Sequence, residues 1–191
     1  MITRLKGILL EKRVPLAVVE VSGIGYEVFL PINNFAILPE IGQEIILYTH
    51  FVVREDAHSL YGFIQKRQRD FFRVLIKVNG VGPKLALTIL SGMEPDAFMT
   101  CVKNNDLDGL TRIPGIGKKI AQRLIVEMRD SLQDFEVSAV IASEHGVVYD
   151  AISALITLGY KPHEARQAVL KYKDQNLSSE DLIRLALKKG N

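Results

Sequence analysis

A single cysteine, Cys101, stands in a chain of 191 residues. One thiol cannot close an internal disulfide, and no second cysteine stands at metal-ligand spacing with the four histidines. A reducing compartment fits this pattern, and a cytoplasmic location is expected. Long apolar runs are missing too. The opening Met1-Ile2-Thr3-Arg4-Leu5-Lys6-Gly7 is broken by charges before a signal-peptide core develops, and no stretch of about 18 apolar residues follows. The expectation is a protein neither exported nor membrane-spanning. Nucleotide loops are also absent. Where a Walker A loop has its first glycine the chain has Arg112, and Lys118 is followed by Lys119 instead of serine or threonine. Gly23-Ile24-Gly25, Gly80-Val81-Gly82 and Gly115-Ile116-Gly117 lack the third glycine of a dinucleotide fingerprint, having Val28, Leu85 and Ile120 there. No cofactor, metal or catalytic residue is expected.

Net charge is nearly absent as well: 24 Lys and Arg against 22 Asp and Glu leave +2. With 48% hydrophobic and 24% charged residues the chain is globular, with a buried core, and neither fibrous nor disordered. The small total conceals an uneven distribution. Residues 1–64 hold 5 basic and 7 acidic side chains, residues 65–135 hold 12 and 8, and residues 136–191 hold 7 of each. A polyanion would meet the middle third.

Texture changes along the same divisions. The first part is rich in β-formers between turn signals, at Ile8 to Leu10, Ala17 to Val21, Tyr26 to Leu30, Glu44 to Val53 and Leu60 to Ile64. Gly23 and Gly25 suit a tight reversal, and Pro15, Pro31, Pro39 and Gly42 separate the other runs. Five short strands in so short a segment predict a small barrel, with the OB-fold the first candidate. From Gln65 the apolar period becomes helical, through Phe71, Phe72, Leu75 and Ile76 and on to Leu132. Ser131 to Gly146 then mixes serine and acidic residues without a period, which reads as a linker. Three short helices are predicted beyond it, over Val148 to Leu158, Pro162 to Tyr172 and Ser179 to Lys188, with Gly159 at a helix end and Ser178 with Asp181 as a cap. The expected organisation is a multidomain α+β chain: a barrel over 1–64, a helical domain over 65–132, a flexible linker over 133–146 and a three-helix module over 147–191.

The strongest feature is an internal repeat. Val78-Asn79-Gly80-Val81-Gly82-Pro83-Lys84-Leu85-Ala86 returns 35 positions later as Ile113-Pro114-Gly115-Ile116-Gly117-Lys118-Lys119-Ile120-Ala121. Two glycines around one apolar residue let the backbone reverse sharply while Val81 or Ile116 anchors the turn in the core. Unpaired amides and the positive end of the following helix then converge on a point that suits a phosphate, and Lys84 and Lys118 add charge there. One such turn is equally an ordinary closure between two helices. Two copies, each with lysine in the only basic third, read as helix-hairpin-helix motifs, which grip DNA phosphates without reading bases. In the barrel segment Glu55 and Asp56 sit at a polar tip between two strands, a solvated turn or a weak divalent-metal pair when read alone.

Phe51-Val52-Val53-Arg54-Glu55-Asp56-Ala57, the two hairpins, and the C-terminal Leu158-Gly159-Tyr160-Lys161-Pro162 together resemble the RuvA family of bacterial Holliday junction branch-migration proteins, over essentially the whole chain. The resemblance implies an OB-fold domain, a tandem helix-hairpin-helix domain and a mobile, UBA-like third domain. It implies a non-catalytic homotetramer that holds four-way junction DNA flat and open, as one tetramer or two face to face, and recruits the hexameric ATPase RuvB for branch migration in recombination and repair. The junction resolvase RuvC is a further implied partner. Gly80, Val81, Gly82, Lys84, Gly115, Ile116, Gly117 and Lys118 are the implied DNA-binding positions. Glu55 and Asp56 become an acidic pin that repels phosphates at the junction centre, with Arg54 either balancing that repulsion locally or simply solvated. Leu155, Leu158, Tyr160 and Leu187 match the motor-binding patch. A bundle this small also needs leucines for its core, so Leu158 and Tyr160, flanking the Gly159 turn, are the two expected to be partly exposed.

Two rival readings remain. A DNA glycosylase or lyase would use the same hairpin with Asp130 or Asp134, yet no aromatic-rich pocket for a flipped base is evident. An adaptor would bind proteins through all three modules.

Overall fold

The computed structural model describes residues 1–141, 146–172 and 177–188. They form two compact units, Met1–Met128 and Arg129–Asn191.

In the first unit, alternating apolar residues produce β1 (Arg4–Arg13), β2 (Leu16–Val21), β3 (Ile24–Phe29), β4 (Glu44–Val53) and β5 (His58–Phe63). The strands close in the order β1-β2-β3-β5-β4, with β3 and β5 parallel and the other pairs antiparallel. Closure leaves no unpaired edge, and Leu5, Leu9, Val19, Val28 and Leu47 fill the interior. This is the barrel expected for an OB-fold. The β2–β3 reversal uses Ser22 and Gly23, both at positive φ (51° and 84°), between the paired Val21 and Ile24. Gly25, expected to help turn the chain, lies inside β3 instead.

Five helices follow: α1 (Lys66–Leu75), α2 (Pro83–Gly92), α3 (Pro95–Lys103), α4 (Leu107–Thr111) and α5 (Lys118–Ile141). Prolines open α2 and α3, where a missing N–H costs nothing. Asp106 caps α4 by accepting from the Gly109 amide at 2.8 Å. Barrel and helices share one unit through a polar ladder. The Ile32 amide donates to Ser91 Oγ at 2.9 Å, Asn33 Nδ2 donates to Glu94 Oε1 at 3.1 Å, and the buried Asn34 donates to Gln68 Oε1 at 3.3 Å. Beside this ladder the Phe72 ring packs 5.1 Å from both Tyr61 and Phe63, so α1 is seated on β5 by apolar contact.

The expected linker over 133–146 needs correction. α5 continues through it to Ile141, and residues 142–145 lie outside the described residues. Serine and acidic content reads as loop, but Leu132 and Phe135 fall three apart on one helical face and are buried at 2% and 8% exposure.

In the second unit α6 (Val147–Thr157), α7 (Pro162–Leu170) and α8 (Ser179–Lys188) pack around Ala151, Ile152, Leu155, Ala165, Val169 and Leu182. At the end of α6 the Gly159 amide donates to Ile156 O and the Tyr160 amide to Leu155 O, which satisfies two terminal carbonyls. Ser178 Oγ accepts from the Asp181 amide at 3.2 Å, the cap that the sequence predicts for α8. No single helix among the described residues is long and apolar enough to cross a membrane.

Candidate nucleic-acid interface

The two repeats share the same three turn-closing bonds. In the first, the Val78, Val81 and Ala86 amides donate to Leu75, Val78 and Gly82 carbonyls at 3.0 Å each. In the second, the Ile113, Ile116 and Ala121 amides donate to Leu110, Ile113 and Gly117 carbonyls at 3.2, 3.1 and 3.0 Å. Gly80 and Gly115 hold φ of +88° and +86°, which side-chain-bearing residues rarely adopt. Val81 and Ile116 are buried at 3% and 4% exposure, so these two residues offer a ligand only their backbone.

The second glycine of each turn is different. A Cβ on Gly82 or Gly117 would meet nothing within 4 Å, so the chain's own packing does not demand glycine there. What a bare Cα provides is close approach from outside. The first amides of α2 and α5 have no intrahelical partner, no side chain caps α2, and both helices present their positive ends at the turns. Lys84, Lys118 and Lys119 are exposed beside them, with no ion pair among the described residues. Amides, dipole and ammonium groups thus converge on two points that suit phosphate oxygens.

The hairpins also brace each other. Arg123, on α5, donates from Nη1 to the Asn79 carbonyl at 3.0 Å, and Glu127 Oε2 accepts from the Asn79 amide at 3.1 Å. These two α5 residues were not among the candidates. Their signal is the i, i+4 spacing of opposite charges, which also pairs them with each other at 3.6 Å. In the converse direction, Leu85 of α2 lies under Gly115 of the second turn.

The acidic pair caps the β4–β5 hairpin. The Arg54 amide donates to Ala57 O at 2.9 Å, closing a tight turn that leaves Glu55 and Asp56 exposed. Phe51 and His58 pack edge to face at 5.6 Å below the tip. No group of three or more metal-ligating side chains occurs among the described residues, so the pair presents its charge to solvent.

In the second unit the expected patch divides. Leu158 is 62% exposed and Leu187 39%, while Tyr160 is half-buried against the module core. Leu155 is fully buried, a correction: it sits on the inward face of α6 with Ile152 and cannot present a surface. Asp134 is paired with His163, whose Nδ1 lies 2.7 Å from its Oδ1, and the Asp130 side chain lies outside the described residues.

Comparison with known proteins agrees with this layout. Residues 1–62 match the RuvA N terminal domain, residues 72–130 a SAM-like helix-hairpin-helix tandem, and residues 146–189 the RuvA C-terminal domain. The chain is 52% identical to the Holliday junction branch migration complex subunit RuvA of Nitrosococcus oceani, with 99% of each chain covered. It is 50% identical to the protein of the same name from Shewanella halifaxensis, covering 98% of each. The Coxiella burnetii protein of that name is 52% identical, over 98% of this chain and 97% of the relative.

Proposed function

The chain belongs to the RuvA family, and from that premise we propose how its parts share the handling of a Holliday junction. It binds such junctions as a subunit of a branch migration complex. The observation that carries the division of labour is the pair of matched turns, each opening a helix with an unpaired lysine, in the same unit as an exposed acidic hairpin.

Residues 65–132 hold the DNA arms. Gly80, Gly82, Gly115 and Gly117 admit phosphates to the backbone amides, Val81 and Ile116 fix the turns, and Lys84 and Lys118 supply charge. Such contacts follow the phosphodiester backbone and carry no base preference. Residues 1–64 carry the pin. Four copies around a four-fold axis bring Glu55 and Asp56 of each to the crossover, where their charges repel phosphates, part the strands and disfavour unbroken duplex. Residues 147–191 engage the motor through Leu158, Tyr160 and Leu187. The chain hydrolyses no nucleotide; a RuvB hexamer supplies that step, RuvC acts on the same junction, and the assembly works in the cytoplasm.

A mobility shift comparing a four-way junction with linear duplex of equal length tests this reading, with Glu55→Gln and Asp56→Asn combined in a parallel protein. The parent should prefer the junction and the variant should lose part of that preference by gaining duplex affinity. Equal affinities for both DNAs in the parent would remove the junction assignment, and an unchanged preference in the variant would remove the pin.

A further inference from the structure

The acidic hairpin carries a neutral face beneath its charged tip. Residues opposite each other in an antiparallel pair share one side of the sheet, and Phe51 stands opposite Leu60, Val53 opposite His58. Alternation puts all four on the side that Ile45 and Leu47 turn into the barrel core. Along that side burial fades towards the tip. Leu60 is 6% exposed, Phe51 is half-buried against the core, and Val53 is 61% exposed with His58 exposed beside it. The inward face of the barrel thus runs past the rim and ends in solvent.

Two features fit this surface to a flat, uncharged ligand. The Phe51 and His58 rings meet edge to face, with centroids 5.6 Å apart and an interplanar angle of 68°. Such a contact orients the imidazole and covers at most one of its faces. His58 has no hydrogen bond or ion pair among the described residues. Charge then selects which part of a nucleic acid can come near. Glu55 and Asp56 lie two and three residues beyond Val53, at most about 11 Å of chain, where physiological salt screens charge over about 8 Å. Even with Arg54 counted, the tip is net negative. A phosphodiester is disfavoured there, whereas a nucleobase, being uncharged, is not.

Resting on the junction-binding reading, we propose that Val53 and His58, seated on Phe51, form a platform that takes a nucleobase unpaired at the crossover. Every base offers a π-face, so the contact is independent of sequence, and it occupies a base that would otherwise pair again. The carboxylates at the tip turn phosphates away while the face below them holds the base. This platform is separate from the two glycine hairpins, which meet the phosphates of paired arms.

The test uses the full-length protein with a synthetic four-way junction, the same junction with abasic residues at the crossover, and linear duplex of equal length. His58→Ala and Val53→Ser, both at exposed positions, should weaken binding to the intact junction, His58→Ala by about tenfold. Duplex affinity and the slope of log affinity against log salt should stay those of the parent, since no phosphate contact is lost. On the abasic junction, which keeps the phosphates and lacks the bases, parent and His58→Ala should bind alike. The chain has no tryptophan, so His58→Trp supplies a lone indole. Its emission should be quenched by the intact junction and not by abasic junction or duplex. Unchanged junction affinity in both variants, equal losses on the abasic junction, or an unquenched indole would overturn the proposal. A changed oligomeric state of His58→Ala in light scattering would also overturn it, by assigning the face to a second copy of the chain. A parent that binds junction and duplex alike removes the junction reading and the platform with it; a parent that prefers the junction while both variants match it removes the platform alone.

Discussion

Leu85 Cδ1 lies 3.2 Å from the place where a Cβ on Gly115 would stand, so the helix behind the first hairpin forms the seat of the second. Gly115→Ala would meet that leucine and also hold a non-glycine residue at φ near +86°. Urea denaturation should show a loss of about 1–3 kcal/mol. Gly82→Ala provides the contrast, since its φ is −80° and no chain atom lies near the added methyl. Its stability should stay within about 0.5 kcal/mol of the parent. Junction affinity should nevertheless fall about tenfold, the worth of one charge-assisted hydrogen bond. Unaltered binding by a folded Gly82→Ala protein would exclude close phosphate approach at that turn.

Lys84 and Lys118 both lie in the first helical turn after their glycine hairpins, and both are exposed. Each changed to glutamine should reduce the salt slope of junction binding by about 0.9, and the two losses should add. Titrations between low and moderate salt would measure this, and a flat response in the double variant would argue against both contacts.

His50 predicts an acid-sensitive barrel-to-helix contact. Its pKa lies below 6.5 because burial, then Arg73 and Arg69, disfavour the imidazolium. Above about pH 6.5 the ring is neutral in both folded and unfolded chains and the contact is at full strength. As pH falls below that value the unfolded chain takes up a proton and the folded one does not, so stability declines until the folded-state pKa is reached. The urea midpoint of the parent should fall across this window, and that of His50→Gln should fall less. Parallel pH profiles for the two proteins would refute the assignment.

Leu158 and Leu155 occupy neighbouring turns of one helix end with opposite fates. Leu155→Ala empties a fully buried position and should cost the C-terminal module about 2–5 kcal/mol. Leu158→Ser, at a position 62% exposed, should leave melting within about a degree or two and weaken association with the motor. Calorimetry paired with a pull-down of the ATPase distinguishes them.

Period and repetition make the barrel and hairpins legible in the sequence. A run of β-formers over Glu44 to Val53 gives β4 its full span, and seven matched positions out of nine single out the turns. Five-residue α4 has too little length for a period, and its cap at Asp106 sits among other polar residues. The extension of α5 hides because composition, the usual sign of a linker, outweighs two apolar residues at Leu132 and Phe135. Leu155 and Leu158 are indistinguishable by type; Leu155 lies within α6 and enters the core, whereas Leu158 stands at its C-cap beside the Gly159 turn and faces solvent. Arg69 and Arg73 look like part of an ordinary solvated helix face until β4 is set beside them.

The reciprocal bracing of the two hairpins has a further meaning. When the helix behind one turn supports the second turn, and the helix behind the second supports the first, neither turn can shift without disturbing the seat of the other. The two phosphate-accepting points then behave as one rigid caliper, whose span is set by the chain before any DNA arrives.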